Sequence, residues 1–283
     1  MFEASSAMCY YESVDKCGGE NPMLGVLQQT EIPFRIGTSF LPQLIRELGS
    51  GRMLDLGCGS GDNVMRVFFE QGWDCVGIDI NAALLERASR YGRTILRKGE
   101  EPLSCLDDNS FDLVAAQAVF HHMKDVDGNL GELVRCTKPG KFLLIHEVVE
   151  DNLFLRVGRN IFKRWEGMPI YSRLYIHDWL EAFQRHHLDL LSAYGLRQWA
   201  GSVLNVTRLL SRPLGNALAK HLKLRRLALA PTEYGQLQFV LFVLQKPERK
   251  RNEPPNNQPM AISILHHPGV RHSRAGDRVT LGS

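Results

Sequence analysis

The chain has 283 residues, of which 44% are hydrophobic and 23% charged, with a net charge of +3. This length and mixture belong to a globular protein with a sizeable core, and they exclude a disordered or fibrous chain. So small a positive charge does not point to a nucleic-acid partner. The six cysteines form no Cys-x-x-Cys pair, which predicts reduced thiols rather than a disulfide framework or a metal site. The opening Met1-Phe2-Glu3-Ala4-Ser5-Ser6 lacks the basic and apolar stretches of an export signal, so a cytoplasmic location is expected. No apolar run reaches the ~18 residues of a spanning helix.

Residues 1 to 30 are mixed in character, broken by Gly18-Gly19 and Asn21-Pro22. Phe34 to Leu48 carries helical periodicity, and the first 50 residues are predicted to form an N-terminal helical cap. An apolar run then ends in an acid and breaks into alternate glycines: Met53-Leu54-Asp55-Leu56-Gly57-Cys58-Gly59-Ser60-Gly61-Asp62. Glycine lets a backbone turn sharply and approach a ligand with no Cβ in the way. A helix starting after such a turn aims its free N–H groups at whatever lies there, and Val64 to Glu70 is predicted to be that helix. The dinucleotide fingerprint Gly-x-Gly-x-x-Gly would place its third glycine at Asp62, but here it falls at Gly61, which disfavours a nicotinamide or flavin oxidoreductase.

Asp74 to Asn81 reads as a short buried strand ending in an acid. Asp79 lies roughly twenty residues past the loop, where a carboxylate can accept both ribose hydroxyls. Leu96-Arg97-Lys98-Gly99-Glu100-Glu101-Pro102 is predicted to be a third strand and its acidic turn, Asn109 to His122 a fourth strand with the start of a helix, and Thr137 to Glu147 a Pro-Gly turn and fifth strand. Short apolar runs alternating with helices across 51–149 imply βαβ units and a parallel sheet, with the ligand at the carboxyl ends of the strands.

In order and spacing, these five segments resemble the motifs of class I S-adenosylmethionine-dependent methyltransferases, strongly over about residues 50–150 and more loosely to 246. The resemblance implies a Rossmann-like, doubly wound α/β fold. Its sheet would be seven-stranded and mostly parallel, with an antiparallel last strand, for which Gln238 to Leu244 is the candidate, and helical lid insertions. It implies S-adenosyl-L-methionine as cofactor, held by Asp55, Gly57, Gly59, Gly61, Asp79, Ile80, Glu100, Glu101 and Gln117, with the acidic turn at Glu100-Glu101 bordering the adenine. No metal is expected, because His186-His187 and His266-His267 diverge and have no further ligands near. In-line methyl transfer is largely a matter of alignment, with a general base needed only where the acceptor must lose a proton. His121, at the cleft rim, and His146, with Glu147 beside it, are the base candidates; His122 is expected to be structural.

The methyltransferase domain is expected to span 51–246. Two stretches fall outside the minimal sheet and are candidate lids: about 151–173, with Phe154, Phe162, Trp165, Met168 and Tyr171 able either to line a pocket or to pack onto the core, and about 196–231. Between Asp189 and Glu233 there is no acid, while Arg197, Arg208, Arg212, Lys220, Lys223, Arg225 and Arg226 are interleaved with leucines. Such a segment can lie on an anionic membrane, here through about 206–229, or simply pack its leucines and solvate its charges. Residues 247–283 are polar and proline-rich and predict a disordered tail.

An Asp/Asn-Pro-Pro-aromatic loop is absent after the fourth strand, no cysteine follows a proline, and no acid closes that strand, so base and ribose methylation of nucleic acids are disfavoured. A small-molecule or lipid-like acceptor is expected, methylated on oxygen, nitrogen or carbon. The alternatives are a methyltransferase-like binding protein without turnover and an enzyme acting on a macromolecule.

Overall fold

In a computed structural model, residues 24–34, 36–151, 172 and 174–248 are described. The expected lid over 151–173, apart from Asp151 and Ser172, and the expected tail from 249 lie outside them.

The chain begins with a short helix α1 (Leu24–Leu27) and a strand β1 (Glu31–Pro33), then a 3-10 turn leads into α2 (Phe40–Leu48). A βα alternation follows: β2 (Arg52–Leu56), α3 (Met65–Phe69), β3 (Asp74–Asp79), α4 (Ala82–Ala88), β4 (Arg93–Leu96), β5 (Phe111–Gln117), α5 (Val126–Cys136) and β6 (Thr137–Val148). The remainder is α6 (Ile176–Arg185), β7 (Asp189–Arg197), α7 (Gln198–Leu210), α8 (Arg212–Ala219), β8 (Lys223–Arg226), α9 (Pro231–Tyr234) and β9 (Leu237–Gln245).

All nine strands form one sheet in the order β1-β8-β7-β9-β6-β5-β2-β3-β4. Strands β2 to β6 are mutually parallel, and β9 runs antiparallel to both β6 and β7. The expected seven-stranded, mostly parallel sheet with an antiparallel last strand is therefore present and is widened at one edge by β8 and β1. The third strand is corrected: it is Arg93–Leu96, and the segment from Arg97 to Pro102 is loop. Gly92 (φ +146°) accounts for the earlier start, since a Cβ there would stand 2.2 Å from the carbonyl of Cys75, so the crossover closes tightly and pairing begins at Arg93.

Strand side chains alternate between two buried layers. Met53, Cys75, Leu113, Ala115, Phe142 and Leu144 face a core shared with α2, α3 and α7. Leu54, Leu56, Val76, Val114, Leu143 and Ile145 face one shared with α5 and α6. Burial on both faces explains the nearly continuous apolar runs of these strands.

The basic segment is only partly a cover. Its stretch Lys223–Arg226 is a sheet strand, with Glu31 in register with Arg225, and the Glu31 carboxylate pairs with Lys223 (3.4 Å) and Arg225 (3.1 Å). Leu204, Leu224, Leu227 and Leu229 are buried and Leu218 and Leu222 pack partly buried against the core, while Leu210 and Leu214 are exposed.

Candidate active site

The glycine loop leaves β2 and crosses to α3. Gly57, Gly59 and Gly61 all sit at positive φ (+73°, +54° and +75°), where a side chain is strained. Two are also hemmed in: a Cβ on Gly57 would stand 2.6 Å from Val119, and one on Gly61 2.9 Å from Tyr91. Gly59 differs. A Cβ built there meets nothing within 4 Å, so this part of the backbone faces open space.

Asp79, at the end of β3, is half-buried and orders this loop, its carboxylate accepting from the backbone N–H of Gly59 (2.8 Å) and of Asn81 (2.9 Å). A carboxylate offers about four lone-pair sites, so capacity for ligand hydroxyls remains. Ile80 follows with 55% of its surface exposed, an apolar face beside the loop. Asp55 is fully enclosed, and burial pushes its carboxyl up to about 7, opposed by a hydrogen bond from the Met65 backbone and reinforced by the charge of Asp79. Asp62 pins the loop from outside, accepting from Ser60 (2.6 Å), Tyr91 (2.9 Å) and Arg90 (2.8 Å). Nothing in the motif pattern assigned that role, although an acid directly after the third glycine with a Tyr-Arg pair on the next crossover is its sequence trace.

The acidic turn is already engaged. The Glu100 carboxylate accepts from the backbone N–H groups of Lys124 and Asp125 and from the Asn129 amide, and these bonds hold its pKa below the ordinary value despite partial burial. Glu101 is exposed, and its carbonyl takes the Arg97 guanidinium at 2.7 Å. Glu100 thus ties the turn after β4 to the start of α5.

Gln117 ends β5, half-buried, and its Nε2 lies 3.0 Å from Nδ1 of His146 on β6. The next residue, Ala118, has φ +52° and is exposed, a strained position of the kind that collects at functional sites. His146 is buried, and desolvation drops its pKa to about 4, so it is neutral. With the Gln117 amide donating to Nδ1, the proton of His146 sits on Nε2, a buried atom with no hydrogen-bond partner among the described residues. Phe34 and Phe239 flank the ring at centroid distances of 6.0 and 6.1 Å and meet each other at 5.5 Å.

His121 has a different partner. Its Nδ1 is 2.6 Å from the Glu147 carboxylate, which also accepts from the backbone N–H groups of Phe120 and Val148. The expectation that Glu147 works beside His146 is corrected, because neighbours on a strand point to opposite faces. Glu147 reaches His121 instead, fixing the tautomer with a lone pair on Nε2. His121 also stacks on His122, with centroids 3.9 Å apart. Among the described residues no group of three or more His, Cys, Asp or Glu side chains gathers as metal ligands, and the described cysteines 58, 75, 105 and 136 are free thiols.

Gly59→Val should remove donor binding while costing only the strain of a β-branched residue at positive φ, about 1–2 kcal/mol. Calorimetric titration beside a thermal melt checks this; normal binding would make the loop a mere turn.

Comparison with known proteins agrees with this geometry. Residues 54–145 match the family described as Methyltransferase domain. An uncharacterized methyltransferase, YcgJ of Bacillus subtilis, is 30% identical over 144 residues, 48% of this chain and 56% of its own length. Its crystal structure aligns with a TM-score of 0.50 at 17% identity, covering 74% of this chain and 98% of that one, a likeness of fold. A sterol 24-C-methyltransferase of Aspergillus fumigatus is 31% identical over 156 residues (50% of this chain, 40% of the relative). A demethylmenaquinone methyltransferase of Lactiplantibacillus plantarum is 28% identical over 143 residues (47% and 60%). The chain spans about half the length of the curated relatives it matches. The glycine loop, open at Gly59 beside Asp79, lies within residues 54–145, the stretch that matches the Methyltransferase domain family, a family whose cofactor is S-adenosyl-L-methionine.

Proposed function

We propose that the chain is an S-adenosylmethionine-dependent methyltransferase acting on a small, largely apolar, lipid-like acceptor. When bound, the cofactor supplies a methyl group already activated on a sulfonium. Asp79 holds the ribose hydroxyls, the Gly57–Gly61 backbone receives the methionine portion, and Ile80 packs on the adenine. Glu100 and Glu101 frame the adenine end, with Glu100 contributing what its carboxylate has left after binding α5. The enclosed Asp55 and the half-buried Asp79 set two carboxyl groups beside the loop, which suits a cationic donor.

The observation carrying the acceptor class is the aromatic wall of Phe34 and Phe239 around the neutral, buried His146, at the strand-end level of Gln117. Such a wall favours hydrocarbon over charge. The Nε2–H of His146, which has no hydrogen-bond partner among the described residues, donates to a single oxygen of the acceptor. The relatives acting on a sterol and on demethylmenaquinone fit the same reading. In it His121, oriented by Glu147, is the base that takes a proton from the acceptor, and His146 binds rather than accepts. The test offers sterol, prenylated quinol, protein and RNA acceptors with radiolabelled donor. Label in the organic-soluble acceptors supports the reading; label confined to protein or RNA, or none at all, overturns it.

His121→Gln is expected to lower kcat roughly a hundredfold with donor affinity unchanged, since a positioned base contributes about 10²–10⁴. Steady-state kinetics across pH 6–9 measures it. An unaltered kcat would show that the transfer needs no base at this position.

A further inference from the structure

Helix α7 buries one side and leaves the other bare. Ala200 and Leu204 pack into the core, while Trp199, Val203 and Val206 are 68%, 50% and 55% exposed and Leu210 is 81% exposed. Positions 199, 203, 206 and 210 recur at helical spacing, so these side chains form one stripe, and Leu214 on the next helix, α8, is also 60% exposed. The segment holding this stripe contains no acid between Asp189 and Glu233, and exposed Arg197, Arg212 and Lys220 border it.

We propose that the α7–α8 face docks on an anionic lipid surface. An apolar stripe with a tryptophan at one end and cations around it, free of acids, is the pattern of a helix lying in the plane of a bilayer interface. Charge decides between this and a second copy of the chain. A two-fold interface would set the same basic border against itself, which is repulsive, whereas anionic headgroups complement it. The stripe is mostly Trp199 to Leu210, ahead of most of the stretch 206–229 that the leucine pattern indicated, because β8 lies inside the sheet. Lys223 and Arg225 are engaged with Glu31 and belong to the fold rather than to this surface.

The position makes functional sense. Strand β7 runs in the direction of β6, and Tyr194 and His146 both pair with Leu241 of β9, so α7 begins four residues beyond the level of His146. A surface docked through α7 would bring a bilayer to the end of the sheet where the aromatic wall stands. The docking itself does not depend on which acceptor is methylated.

The test is co-sedimentation with vesicles of phosphatidylglycerol in phosphatidylcholine and of phosphatidylcholine alone, at low and high salt. The wild type should pellet with anionic vesicles, much less with neutral ones, and less at high salt. Val203→Glu/Leu210→Glu should lower the partition about tenfold or more, with the melt and donor titration unchanged because both side chains are exposed. Arg197→Ser/Arg212→Ser/Lys220→Ser should remove most of the preference for anionic lipid. Equal pelleting of wild type and the glutamate variant, indifference to lipid charge, or wild type remaining in the supernatant overturns the proposal. So does a wild-type dimer that the glutamate variant dissolves without any change in vesicle binding.

Discussion

Asp79→Ala is expected to weaken S-adenosylmethionine binding by roughly a hundredfold to ten-thousandfold. The proposed role of Asp79 is to accept both ribose hydroxyls, and each charge-assisted bond contributes about 1.5–3 kcal/mol. The same carboxylate accepts from Gly59 and Asn81 and so sets the loop before any ligand arrives. Part of the loss will therefore come from a loop no longer held in shape. Asp79→Asn separates the two effects, because a neutral amide oxygen can keep one backbone bond while the charge is gone. Isothermal titration with donor and demethylated product reads both variants. Wild-type affinity in a folded Asp79→Ala protein would remove Asp79 from the site.

The second large effect is a pH dependence set by Asp55. Burial raises its folded-state pKa to about 7, well above the ordinary carboxyl value. A raised acid binds its proton more tightly folded than unfolded, so its stabilising share is complete below about pH 4. As pH climbs from about 4 to 7 the unfolded chain has released the proton and the folded protein has not, and stability falls. Above 7 both states are ionised and the decline stops. The total is about 4 kcal/mol at most, from about three units at about 1.4 kcal/mol each. Denaturant unfolding of the ligand-free protein at several pH values should show this fall, and Asp55→Asn should flatten it. A cationic donor favours the ionised carboxylate, so its affinity should rise as pH climbs toward 7, with a proton released on binding, and level off above it. A flat stability profile in the wild type would mean that Asp55 titrates near its ordinary value.

The strand–helix alternation and the glycine loop were legible because their signals are local: buried runs of strand length, and glycines at alternate positions. The roles that the sequence hid depend on which face a side chain takes. His146 and Glu147 are adjacent in the chain, yet one meets Gln117 and the other His121, and only the strand register reveals it. Phe34 reads as part of a helix by periodicity but precedes it, against Phe239 from the far end of the chain. Lys223–Arg226 carries too much charge to look like a strand. It is tolerated near the sheet's edge because β1 supplies Glu31 opposite, a compensation visible only once the two segments are paired.

That pairing also fixes an order of events during synthesis. Glu31 stands in register with Arg225, nearly two hundred residues further along. The central parallel strands meet partners within about sixty residues and can assemble while translation continues, but β1 has none until β8 is made. Contacts this distant close late and slowly. Phe34 directly follows β1, so its contact with Phe239 is made only at the end of folding, after the parallel strands that carry the glycine loop have assembled.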